Sequence, residues 1–271
     1  MWDKYEVDCG ILNGGWQNPL VYNNRYAVLF VGGFNRENNH AKYWNQLVDV
    51  YDVLTQDYGY VDENIYIFYA DGNTPNGANC HDSGDCKEIE SHSTIIDFPA
   101  HRNDYITFFE NTLESILNPN DFLFIWVYDH GSNMFNPNSC IVAWDEDANN
   151  ALTQDECILD TELEDWCNDY AYSRIAIVIG CCYSGGFIAE LDNLNNIVVL
   201  TSVANTVSHS TSERGFLYEF QHGINVIGGN LMWGTGMYNV GHLSGTTADV
   251  DGNNYISLRE AFDFAEGNDD Y

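Results

Sequence analysis

The chain has 271 residues, and its 41 Asp and Glu against 9 Lys and Arg give a formal charge of −32. So sparse a basic complement excludes a sequence-independent grip on nucleic-acid phosphates and attachment to anionic membrane surfaces, both of which need clustered Lys and Arg. With 45% hydrophobic and 14% aromatic residues, the chain is nonetheless expected to bury a large core rather than behave as a disordered acidic tail.

The first predicted element is a strand over the apolar run 27–31, followed by a helical period over 40–58 with apolar positions at Leu47, Val50, Tyr51 and Leu54. A second strand at 65–69 leads to a helix over 105–117, a third strand at 122–128 to a helix over 153–170. A fourth strand at 175–179 is followed by a short helix at 186–191 and a fifth strand at 197–200. A Gly-rich stretch over 223–245 precedes a last helix at 257–266. Strand alternating with helix implies an α/β fold, a mainly parallel sheet covered by helices on both faces. No linker-like stretch divides the chain, so one domain over 1–271 is expected. No apolar run approaches the roughly 20 residues that span a bilayer.

Cys80 and Cys86 lie six apart in a polar loop, where a local disulfide would be geometrically easy, while Cys9, Cys140, Cys157 and Cys167 read as buried thiols or disulfide partners. No Cys-x-x-Cys pair occurs, which argues against structural zinc. Met1, Trp2, Asp3 and Lys4 lack the basic-then-apolar pattern of a signal peptide, leaving a cytoplasmic protein or a mature form without its signal. The cysteines favour the extracellular or secreted setting.

In parallel sheets ligands bind beyond the carboxyl ends of the strands, and two such ends carry chemistry. The third strand runs into Asp129-His130-Gly131-Ser132, and the fourth into Gly180-Cys181-Cys182-Tyr183-Ser184-Gly185-Gly186. A thiol that can pass its proton to a nearby imidazole is a nucleophile, and an adjacent Gly lets a substrate carbonyl approach backbone N–H donors.

These two motifs resemble the histidine and cysteine motifs of caspase-fold cysteine peptidases, the legumain, caspase, metacaspase and gingipain group, with most likeness to the legumain-like branch. The resemblance runs from the first strand to about Ser210. It implies a caspase-like three-layer sandwich and a cysteine endopeptidase acting on peptides or proteins through a thioester. It makes Cys182 the nucleophile, His130 the general base and acid, and the N–H groups of Gly131 and Cys182 the oxyanion hole. Cys181 is the rival thiol, but the family pattern puts Ser-Gly two residues after the catalytic cysteine, which selects Cys182. Asp129 precedes the base, and adjacent residues of an extended segment face opposite ways, so it is not expected to orient His130.

The sequence departs from the family at two places. Gly180 stands two residues before the cysteine, where relatives carry an acidic or amide side chain lining the substrate pocket. Asn39-His40 replaces the Arg-His pair after strand one, leaving His40 as a pocket residue or simply a helix N-terminal histidine. Ser202, Asn205 and Ser208 are the other pocket candidates by resemblance. The acidic surface favours cationic over anionic peptides.

Two segments follow the twelve-position calcium register. In 249–260, Asp249, Asp251, Asn253, the carbonyl of Tyr255, Ser257 and Glu260 fall at the ligand positions, with Asn254 at the usual Gly. In 145–156, Asp145, Asp147, Asn149, the carbonyl of Ala151, Thr153 and Glu156 repeat the spacing. Ca2+ is therefore expected, structural or activating, since some caspase-like enzymes need it, and no organic cofactor. The alternative for each loop is an Asx-rich turn before a capped helix, and the alternative for the whole chain is a catalytically silent binding or scaffold module.

Overall fold

The computed structural model describes residues 24–170, 174–194, 197–204, 206 and 258–268. Three strands, β1 (Arg25–Val31), β2 (Ile65–Tyr69) and β3 (Phe122–Tyr128), precede a small sheet of β4 (Gly131–Ser132), β5 (Cys140–Val142) and β6 (Cys157–Leu159), after which come β7 (Arg174–Gly180) and β8 (Ile197–Thr201). The larger sheet is parallel throughout in the order β2-β1-β3-β7-β8. Its register aligns Phe30 with Val127, Val127 with Ile179 and Ile179 with Thr201. Such strands read as continuous apolar runs because both faces are buried.

On one face Val28, Phe30, Ile125, Val127, Ile177 and Ile179 pack into a single core with side chains from the helices. Those helices are α2 (Arg102–Thr107), prolonged by a π-helical stretch Phe108–Leu113 into α3 (Glu114–Ile116), with α4 (Asp160–Asp169) and α5 (Gly186–Leu191). Tyr105, Phe108, Phe109, Trp166 and Phe187 are their main contributions. On the other face Tyr43, in the first turn of α1 (Ala41–Asp52), lies edge-on against Tyr128, ring centroids 4.9 Å apart. The α/β architecture with helices over a parallel sheet is thus the one the alternation implies. A last helix, α6, spans Leu258–Asn268. The chain divides into two compact units, one drawn from Met1–Tyr43 and Glu63–Ser208 and the other from Trp44–Asp62 and His209–Tyr271.

The structure corrects the helix expected over 153–170. Thr153 and Glu156 do form a capping box, Glu156 accepting the Thr153 N–H at 2.8 Å, but it caps only the single 3-10 turn Gln154–Glu156. The next three residues are consecutively apolar and all buried, a pattern that fits a strand buried on both faces and not a helical stripe. They form β6, antiparallel to β5, which in turn pairs antiparallel with β4. A disulfide joins Cys140 of β5 to Cys157 of β6. The Cys80 and Cys86 thiols are free with Sγ atoms 3.8 Å apart, Cys167 is a buried free thiol, and Cys9 lies outside the described residues.

The disulfide closes a loop with a sequence separation of 17. Chain-entropy reasoning gives such a cross-link about 3 kcal/mol. Replacing Cys140 and Cys157 together by Ala is expected to lower the urea midpoint accordingly, and an unchanged midpoint would refute a stabilising role.

Candidate active site

The ends of β3 and β7 are neighbours, because Tyr128 pairs with Gly180 and the Asp129 N–H donates to the Gly180 carbonyl at 3.2 Å. One residue further, Asp129 and Cys181 leave the sheet; one more brings His130 and Cys182. The two segments stay together past the register. A Cβ built on Gly131 would overlap the Cys182 carbonyl oxygen and sit 2.7 Å from Cys181 Sγ, so only glycine permits this approach. The small sheet holds the histidine segment from the other side: Val142 donates its N–H to the His130 carbonyl at 3.0 Å, and Gly131 pairs with Ile141.

His130 Nε2 lies 3.0 Å from the Asn38 carbonyl oxygen and 3.3 Å from the Tyr43 hydroxyl, whose ring meets the imidazole edge-on at 5.5 Å. A carbonyl only accepts, so Nε2 carries the proton in this bond and Nδ1 is left with its lone pair. Burial pushes the His130 pKa below its usual 6.5, the Asn38 carbonyl pulls it back, and the charges of Lys42 and His40 add to the lowering. The imidazole is therefore neutral at physiological pH, the state a general base requires.

The two thiols differ sharply. Cys181 is buried, and burial, followed by the Asp129 and Cys182 charges, holds its pKa well above the ordinary thiol range. Cys182 is partly exposed. Tyr183 adopts a left-handed φ of 62° and donates its N–H to the Thr206 carbonyl at 2.6 Å, turning the chain sharply out of β7 immediately after Cys182.

Asp129 is buried, and among the described residues it bonds backbone N–H groups and not the imidazole. Its carboxylate accepts the N–H groups of Gly32, of Gly33 at 2.9 Å and of His130 itself at 2.6 Å. A Cβ on Gly32 would lie 2.7 Å from Asp129 Oδ2, and Gly33 has φ 69°, so the glycine pair after β1 is what allows this clasp. Desolvation raises the Asp129 carboxyl to about 8 against the pull of the three donors. Its role is to fasten the end of β1 to the histidine segment.

Of the pocket candidates, Gly180 is the buried last residue of β7, and Ser202 is buried, bonding its N–H to the Ile179 carbonyl at 3.0 Å. Ser202 Oγ has no partner among the described residues. His40 is half-exposed before α1, its Nδ1 3.5 Å from Asp82 and its ring 5.4 Å from that of His81. Asn205 and Ser208 lie outside the described residues.

Asp145, Asp147 and Glu156 each bring a carboxylate oxygen within 4.8 Å of the others. Asn149 lies among them, donating Nδ2 to Asp147 at 2.7 Å and accepting the Ala151 N–H at 2.6 Å. Asn150 at the sixth position has φ 59°, the left-handed turn that the register requires there. In the other loop Asp249, Asp251, Asn253 and Tyr255 lie outside the described residues, and Glu260 is a partly buried residue of α6.

Sequence reasoning missed Asn38, Tyr43 and the clasp made by Asp129. Asn38 acts through a backbone carbonyl, which any residue supplies, so no side-chain signal could have pointed to it. The Gly32-Gly33 pair at the end of an apolar strand was the available clue to the clasp.

The model of the Peptidase C13 family matches residues 25–215, from β1 past β8 and through both His130 and Cys182. No curated protein sequence matches the chain.

Proposed function

The chain belongs to the Peptidase C13 family, whose members are cysteine peptidases, and on that premise we propose that it is an endopeptidase working through Cys182 and His130. The observation that carries this reading is the meeting of the two strand ends at Gly131, which brings the segment of the partly exposed Cys182 against the segment of an imidazole whose proton sits on Nε2. His130 Nδ1 takes the Cys182 proton, and the thiolate attacks a peptide carbonyl. The backbone N–H groups of Gly131 and Cys182 receive the oxyanion. The imidazolium then protonates the leaving amine, and water hydrolyses the thioester with His130 again as base. We assign Ser202, Gly180 and His40 to the pocket for the residue before the scissile bond, and on the same resemblance Asn205 and Ser208, which lie outside the described residues. The acidic surface draws cationic peptides, Ca2+ acts as effector ion, and the Cys140–Cys157 disulfide suits an extracellular setting.

The test is a library of peptides blocked at both ends, which exopeptidases cannot use, incubated with and without calcium. Internal cleavage is expected, with an acid limb in the rate profile below 6.5 because the folded-state pKa of His130 is depressed and activity is lost only as pH falls through it. No internal cleavage under either condition would overturn the endopeptidase reading, and a strong preference for Asp before the cut would overturn the electrostatic one.

A further inference from the structure

Asp145 is buried, 4% exposed, and its Oδ1 has no hydrogen-bond partner among the described residues. Its other oxygen accepts the Asn150 N–H at 2.7 Å. An ionised carboxylate held out of water with an unpartnered oxygen costs free energy unless a cation or donor meets it. No Lys or Arg among the described residues pairs with Asp145, Asp147 or Glu156; the basic side chain on the neighbouring helix, Arg102, is taken by Glu162. Glu156 keeps one oxygen, Oε2, in its capping box with Thr153. Three carboxylates within 4.8 Å, without a positive partner among the described residues, ask for a hard divalent cation. The remaining register positions are oxygen donors as well: Asn149, the Ala151 carbonyl and Thr153.

The loop is also tied to the catalytic histidine. The Asp145 N–H donates to the Phe34 carbonyl at 2.6 Å, and Asn35 Nδ2 donates to Asn150 Oδ1 at 2.9 Å. Asn35 Oδ1 accepts both the N–H and the side-chain amide of Asn38, at 3.2 and 2.8 Å. The Asn38 carbonyl then receives His130 Nε2. We propose that Asp145, Asp147, Asn149, Ala151 and Glu156 bind Ca2+, and that its occupancy is relayed to His130 through Asn150, Asn35 and Asn38. The ion draws the carboxylates from their present spacing to ligand distances of roughly 2.3–2.6 Å. That contraction fixes Asn150, and with it the loop after β1 that carries Asn38, so the tautomer and aim of His130 are set when metal is bound. Asn35 and Asn38 are positioning residues here, acting on the base rather than on substrate.

The activity arm rests on the peptidase reading; the binding arm does not. Terbium is a calcium stand-in whose emission is sensitised by a nearby indole, and Trp144 adjoins Asp145 in the chain. In chelator-stripped full-length protein, terbium emission excited through tryptophan is expected to rise and to be displaced by calcium but not by equal magnesium. Asp147→Ala is expected to remove that emission, whereas Asp251→Ala, in the other candidate loop, retains it. Calcium is expected to raise wild-type kcat/KM by about 5- to 150-fold, the span of ordinary allosteric coupling. Asn35→Ala separates relay from scaffold: terbium binding is kept, calcium stimulation is lost and the acid limb of the rate profile no longer moves with calcium. Unchanged terbium emission in Asp147→Ala overturns the site, and full calcium stimulation in Asn35→Ala overturns the relay. If no preparation hydrolyses peptides, the peptidase reading fails while the terbium comparison still decides the metal site.

Discussion

Cys182→Ala is expected to lower kcat/KM by at least about 10⁴-fold, and Cys181→Ala to change it by only a few-fold, although the two thiols are adjacent. The difference follows from where β7 ends. Cys181 is still in the core, its pKa pushed far up by burial and by the Asp129 charge, and its Sγ stands against Gly131. A thiol so held neither ionises nor meets substrate. Cys182, one residue further on, is partly exposed, and the left-handed Tyr183 behind it turns the chain sharply at that point. Cys181→Ala should therefore register in stability, by about 1 kcal/mol, and not in turnover. Peptide hydrolysis by both variants, together with mass spectrometry of the residue alkylated first by iodoacetamide, checks the assignment. Alkylation at Cys181, or turnover surviving in Cys182→Ala, would reverse it.

The parallel sheet was legible because a strand buried on both faces is written as an unbroken apolar run, and Phe122 to Tyr128 or Arg174 to Gly180 admit little else. His130 and Cys182 were legible for a related reason: the carboxyl ends of such strands are where side chains escape the core, so a His and a Cys placed there stand out. The small sheet was not, since β4 and β6 are two and three residues long and the capping box at Thr153 points equally to a helix. Nor was the support around the base. Asn38 contributes a carbonyl, Tyr43 reaches His130 from the first turn of α1, and Asp129 grips three backbone N–H groups, none of which leaves a periodic trace. The acidic loop at 145–156 lay in between. Its spacing was visible, but the isolation of Asp145 Oδ1 and the hydrogen-bond path to His130 are properties of the fold.

Gly131→Ala is the second large effect. The added methyl would overlap the Cys182 carbonyl oxygen and lie 2.7 Å from Cys181 Sγ and 3.1 Å from Cys181 Cβ. Neither neighbour yields easily, because one is backbone held at the mouth of β7 and the other is a buried side chain. The strand ends must part by about an ångström, a displacement that alone costs on the order of 10²-fold in rate. If Gly131 N–H is an oxyanion donor, its shift adds a further loss of about 10²–10³. Stability is expected to fall by about 1–3 kcal/mol, the usual range for an overpacked site, so the protein should remain folded. Thermal melts and near-ultraviolet dichroism would verify that before kinetics are read. The double variant Gly131→Ala with Cys181→Ala removes the sulfur from the clash and leaves the carbonyl. It is expected to recover stability in part and activity hardly at all. Recovery of wild-type kcat/KM in the double variant would mean that the thiol, and not the approach of the two backbones, set the geometry at Cys182.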